Sequence, residues 1–134
     1  MKIATTTGDF GFYCATDAEK IVELHRAGFR YIDLDMYCFT PNCAYMQDNW
    51  REEVQKLKAV ADELGMQFVQ AHSPGGNPLS RDARWDWLLE ATIRSVEICG
   101  ILGIPNTVVH AGWAGGIGRE EYYEQNRDFY ALLY

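Results

Sequence analysis

Three segments of this chain end in the same way. Ala27-Gly28-Phe29, Leu64-Gly65-Met66 and Leu102-Gly103-Ile104 each close a run with helical spacing, and each leads within a few residues into a short apolar or β-branched run. Glycine past the last helical residue takes the left-handed conformation that stops a helix. Helices that stop in this way and return to strands roughly every 30 to 40 residues are strand–helix–strand units with right-handed crossovers. A chain so punctuated is constrained to parallel α/β architecture.

The individual elements follow. Lys2 to Thr7 reads as a first strand, stopped by Gly8. Thr16 and Glu19 form a capping box ahead of Ile21, Val22, Leu24 and Ala27, so a helix starts there and ends at Gly28. Tyr31 to Tyr37 is a second strand. Asp48 or Asn49 opens a helix carrying Val54, Leu57, Ala61 and Leu64, closed by Gly65, and Gln67 to His72 is a third strand. Ser73-Pro74-Gly75-Gly76-Asn77-Pro78 is a loop. A third helix runs from about Asp82 to Cys99, with Trp85, Leu88, Leu89, Thr92 and Val96 inward and Gly100 and Gly103 at its end. Asn106 to His110 is a fourth strand, Ala111 to Gly118 a glycine-rich loop, and a last helix from near Arg119 carries Tyr122, Tyr123, Phe129, Tyr130 and Leu133.

Composition narrows the function classes. The 134 residues are 48% hydrophobic and 23% charged, a globular balance for one domain. The 19 acidic against 12 basic residues give a net charge of −7, which speaks against a phosphate-backbone partner. No apolar run approaches the roughly 20 residues of a membrane span, and the first residues do not form a secretory signal, so a cytoplasmic protein is expected. Cys14, Cys38, Cys43 and Cys99 fit neither a redox pair nor a zinc knuckle and are read as reduced thiols. Nucleotide fingerprints, phosphate-binding loops and nucleophile elbows are absent.

In parallel α/β folds, ligands gather at the carboxyl ends of the strands. Two of the three histidines, His72 and His110, end the third and fourth strands at equivalent positions. Each can hydrogen-bond a substrate oxygen or ligate a metal, and each also has a plainer reading as a packed structural residue. Asp33 and Asp35 share one strand face. They suit acid–base work, or equally the anchoring of a loop. Trp113 suits stacking on a sugar ring, or packing under its own loop. His25 reads as a helix surface or packing residue. No tight cluster of His, Asp and Glu makes a closed metal site on its own.

The run Ala27-Gly28-Phe29-Arg30-Tyr31-Ile32-Asp33-Leu34, then Val69-Gln70-Ala71-His72-Ser73-Pro74, then Val108-Val109-His110-Ala111-Gly112, resembles the start of a xylose isomerase-like TIM barrel. That superfamily contains sugar isomerases and epimerases, myo-inosose dehydratases and apurinic endonucleases. The resemblance covers residues 1–134 as a (β/α)4 half of a barrel, and a full barrel takes about 250 residues, so the chain reads as a truncated single domain. It implies a sugar or sugar phosphate isomerase or epimerase using metal-assisted proton transfer through an enediolate. It places Asp33, His72, His110 and Trp113 as substrate-binding residues. The divalent metal (Mn, Mg, Co or Zn), its ligands and the proton-transfer carboxylates are expected from strands beyond the fourth. The chain alone is therefore expected to bind no metal and to be inactive, with its catalytic residues unassigned. The expected partners are a small carbohydrate and a second copy joined through exposed barrel edges, with no nucleic acid and no membrane. Alternatives are a non-catalytic half-barrel that homodimerises, a metal-dependent nuclease of the apurinic type in which His72 and His110 are metal ligands, and a small doubly wound domain.

Overall fold

A computed structural model describes residues 3–134. Lys2, where the first strand is expected to begin, lies outside the described residues. Four strands, β1 (Ala4–Thr6), β2 (Tyr31–Asp35), β3 (Gln67–His72) and β4 (Thr107–Val108), alternate with four helices, α1 (Asp17–Arg26), α2 (Trp50–Glu63), α3 (Trp85–Leu102) and α4 (Arg119–Ala131). Short 3-10 turns occupy Thr7–Phe10 and Ala44–Met46. The strands form one parallel sheet in the order β1-β2-β3-β4. Sequential parallel order is that of a half TIM barrel and excludes the doubly wound alternative, in which the order reverses at a switch point.

The punctuation read from the sequence is present. Thr16 and Glu19 close a reciprocal capping box on α1. Gly28, Gly65 and Gly103 all have positive φ, at 92°, 62° and 68°. Any side chain at these three positions would be strained, and this is why the same residue recurs there.

Between the sheet and α1–α3 lies one apolar layer. Ile32, Leu34, Met36 and Ala71 meet Ile21, Leu24, Val54, Leu57, Ala61, Ile98 and Leu102 there. Residues of β2 with the opposite parity, Tyr31, Asp33 and Asp35, are half-buried on the other face. Trp50 is buried under the guanidinium groups of Arg51 and Arg94, at 4.1 and 4.4 Å from its ring centre.

β1 and β2 are shorter than the expected runs to Thr7 and Tyr37, ending at Thr6 and Asp35, and two elements differ further. α3 begins at Trp85 rather than Asp82, because the Asp82 carboxylate accepts the Arg84 N–H at 2.8 Å and its carbonyl accepts the Trp85 N–H, forming a turn first. The helix then runs through Gly100 to Leu102; among its half-buried residues are Trp85, Leu89 and Val96, while Ala91, Ser95, Ile98 and Cys99 carry more of the inward face. β4 is only Thr107–Val108. Beyond it, the Val109 carbonyl is taken by the Tyr130 hydroxyl, and Gly112 and Trp113 are taken by asparagine side chains, so the chain leaves the sheet.

Candidate functional site

The site is set by an irregularity in β3. Ile32 pairs with Phe68, but Asp33 pairs with Gln70, so Val69 is an extra residue in the ladder. A bulge of one residue exchanges the two faces of the strand beyond it. Below the bulge, Phe68 sides with Ile32 and packs on the core. Above it, Gln70 and His72 side with Asp33, and Ala71 sides with Leu34 in the core. In a regular ladder His72 would face the helices.

The result is a hydrogen-bonded group at the strand ends. Asp33 Oδ1 lies 3.1 Å from His72 Nδ1, and Gln70 Nε2 donates to Asp33 Oδ2 at 3.2 Å. A carboxylate only accepts, so Nδ1 of His72 carries the hydrogen, and in the neutral ring Nε2 presents its lone pair. His110 stacks beside it, with ring centres 6.2 Å apart and planes 29° from parallel. Tyr37 meets His110 edge-on at 5.6 Å. Three expected site residues, Asp33, His72 and His110, are thus brought together. Trp113 lies on the loop after β4 and is 70% exposed. Tyr37 and Gln70 join the group without having been singled out in the sequence. Period-two spacing from His72 marks Gln70, whereas nothing local marks Tyr37.

Asp35, paired with Asp33 in the sequence reading, does different work. Its backbone N–H donates to Thr7 Oγ1 at 2.9 Å and its carboxylate accepts the Tyr37 N–H at 2.9 Å, the loop-anchoring role. It also borders a cleft of about 530 Å³ between the start of α1, the Ala44–Met46 turn and α2, lined among others by Lys20, Cys38, Phe39 and Lys56. In its wall, buried Tyr45 donates to Asp17 Oδ2 at 2.8 Å, and Lys20 meets Asp17 Oδ1 at 2.7 Å. Burial, and then the Asp17 charge, push the Tyr45 hydroxyl far above the usual tyrosine range.

Among the described residues, no group of three or more His, Cys, Asp or Glu side chains is placed to hold a metal ion. Both Asp33 oxygens are already engaged, by His72 and by Gln70. The donor set therefore does not fit a metal by itself. All four cysteines are free thiols; Cys99 is buried, and that burial raises its pKa. No described helix is long and apolar enough to cross a membrane.

A parallel β/α sheet in sequential strand order, with polar groups gathered toward the carboxyl ends of the strands, is the arrangement of one half of a β/α barrel. The family model for the xylose isomerase-like TIM barrel matches residues 21–133, and the chain belongs to that family. No curated protein matches the chain at a significant level.

Proposed function

We propose that this chain supplies the substrate-orienting face of a sugar, or sugar phosphate, isomerase or epimerase. The observation that carries this reading is the Asp33–His72 hydrogen bond with His110 stacked alongside. Interconverting a sugar at adjacent carbons through an enediolate requires that a hydroxyl lose its proton while a carbon-bound hydrogen moves. His72 Nε2, directed by Asp33, accepts from a substrate hydroxyl, and the imidazolium formed is stabilised by the same carboxylate. His110 offers a second imidazole for a neighbouring oxygen, and Trp113 an apolar wall. The base at carbon, and the ligands of the divalent metal that the family resemblance implies, are assigned to groups outside these four units. A nuclease is disfavoured by the net charge of −7.

The test is a titration of the His72 and His110 ring resonances with D-fructose, D-glucose and D-xylose. We expect saturable shifts for at least one sugar, and about ten-fold weaker binding in His72→Ala, the loss of one hydrogen bond to a buried partner. No shift at any of the three sugars refutes the reading. Sustained isomerisation by these residues alone refutes the assignment of the carbon base elsewhere.

A second reading, two copies closing one eight-stranded ring, is favoured by the sheet order. Among the described residues β1 and β4 each pair on one side only, and an unpaired edge invites another strand. A monomer mass by sedimentation at high concentration overturns it.

A further inference from the structure

The segment after β2 folds back on itself between two fixed legs. On the first leg the Tyr37 N–H donates to Asp35 Oδ1 at 2.9 Å, and the Tyr37 carbonyl accepts the Gly75 N–H at 2.9 Å. Its ring lies against the same glycine, where a Cβ would stand 2.5 Å from it. Two turns follow. The Phe39 N–H donates to the Met36 carbonyl at 3.1 Å, and the Cys43 N–H to the Thr40 carbonyl at 3.0 Å. Proline in the second position of Thr40-Pro41-Asn42-Cys43 sets the backbone for such a turn in advance. Gln47 Nε2 ties the second leg, donating to the Pro41 carbonyl at 2.9 Å and to the Cys43 carbonyl at 3.3 Å. Across the fold, Phe39 stacks on Tyr45 with ring centres 5.4 Å apart and planes 25° from parallel.

A thiol stands on each leg. Cys38 is exposed and Cys43 half-buried, and both line the cleft of about 530 Å³ beside α1 and α2. Five residues apart, they make no Cys-x-x-Cys pair; the turns, not the spacing, bring them to one cleft. Cys99, by contrast, is sealed in the core. An accessible thiol with a second thiol at its side is the arrangement that reacts with disulfides and then resolves the product.

We propose that Cys38 and Cys43 form a redox modification site, a dithiol that closes reversibly on meeting a small-molecule disulfide such as oxidised glutathione. The thiolate of Cys38, the exposed member, attacks one sulfur of the incoming disulfide. That S–S bond breaks, and one glutathione leaves as its thiolate. The Cys43 thiolate then attacks Cys38 Sγ of the mixed disulfide, forming the protein S–S bond and releasing the second glutathione. The two protein thiols lose two electrons and two protons, and both pass to the disulfide, which is reduced to two glutathione molecules. Asp33, His72 and His110 do not line this cleft, and the proposal does not depend on the carbohydrate reading.

Two groups joined by a short segment meet at an effective concentration on the order of 1 mM, so with free glutathione at about 0.1 mM closure outruns release of the mixed disulfide by about ten-fold. The test treats the full chain with oxidised glutathione, alkylates the remaining thiols with iodoacetamide and digests with trypsin. Residues 31–51 form one tryptic peptide that holds Cys38 and Cys43 and no other cysteine. In wild type this peptide is expected to lose two hydrogens and escape alkylation, and dithiothreitol restores both thiols. In Cys43→Ser the glutathione adduct on Cys38 persists about ten-fold longer than in wild type, and in Cys38→Ser the peptide forms no internal bond. A wild-type peptide that stays doubly alkylated, keeps its glutathione adduct as long as Cys43→Ser does, or is bridged to Cys14 or Cys99 overturns the inference. If Cys43→Ser does not fold, the wild-type and Cys38→Ser peptides still decide.

Discussion

Replacing Tyr45 by phenylalanine removes one oxygen from the wall between α1 and α2. The Tyr45 ring is 9% exposed, and its hydroxyl makes a 2.8 Å bond to Asp17, whose other oxygen holds Lys20 at 2.7 Å. A hydrogen bond to a charged acceptor contributes about 1.5–3 kcal/mol, so Tyr45→Phe should be less stable by that amount near neutral pH. The pH dependence is more diagnostic. Burial and the Asp17 charge hold the folded hydroxyl protonated, whereas an unfolded tyrosine ionises near pH 10. With the folded value raised above the unfolded one, the stabilisation is complete below pH 10 and is lost as pH rises beyond it. At one unit above the unfolded value the loss reaches about 1.4 kcal/mol. The variant lacks this ionisation, so its deficit relative to wild type should shrink by about 1.4 kcal/mol between pH 8 and pH 11. Urea denaturation of both proteins at pH 8, 10 and 11 measures it, with equal m-values required for the comparison. A deficit that stays constant to pH 11, or no deficit at pH 8, would refute the reasoning.

Asp33→Asn should reverse the His72 tautomer. An amide can donate to Nδ1, so the hydrogen moves to Nε2 and the lone pair now turned to solvent is lost; nitrogen chemical shifts of the ring report it, and an unchanged Nδ1–H pattern counts against the assigned pair. Ser95→Ala should cost about 1–3 kcal/mol, because the buried Ser95 hydroxyl lies 2.6 Å from the Thr92 carbonyl and 2.9 Å from the Ser73 hydroxyl, which itself meets Thr107 at 3.1 Å. Thermal or urea unfolding checks this, and Ser73→Ala in the same background should add less than its separate effect, since the two share one network.

Local chemistry made much of the fold legible. A threonine and a glutamate three residues apart announce α1, and three glycines announce three helix ends, because each signal depends on a few neighbouring residues. The strands that carry Asp33 and His72 follow from those boundaries, whereas His110 lies two residues past the end of β4. What was hidden depends on distant partners. Val69 looks like any strand valine; its displacement is visible only against Ile32 and Asp33 on the neighbouring strand. β4 reads as five residues but pairs over two: the Tyr130 hydroxyl takes the Val109 carbonyl, and Asn126 and Asn77 hold the chain just beyond, at Gly112 and Trp113. Gly100 resembles a helix end, yet α3 continues through it, its neighbours Cys99 and Leu102 being buried. The roughly 0.5–1 kcal/mol that glycine costs inside a helix is a small penalty against that burial.

The displaced Val69 has a consequence for how β3 can change over evolutionary time. One strand normally obeys one alternation, so a substitution that improves packing at one position limits what its alternate neighbours can face. Here the alternation is reset midway. Phe68 answers to the core, while Gln70 and His72 answer to Asp33 on the opposite face. The two halves of the strand are thereby released from a common phase, and Gln70 and His72 at its upper end can be exchanged without repacking the layer beneath.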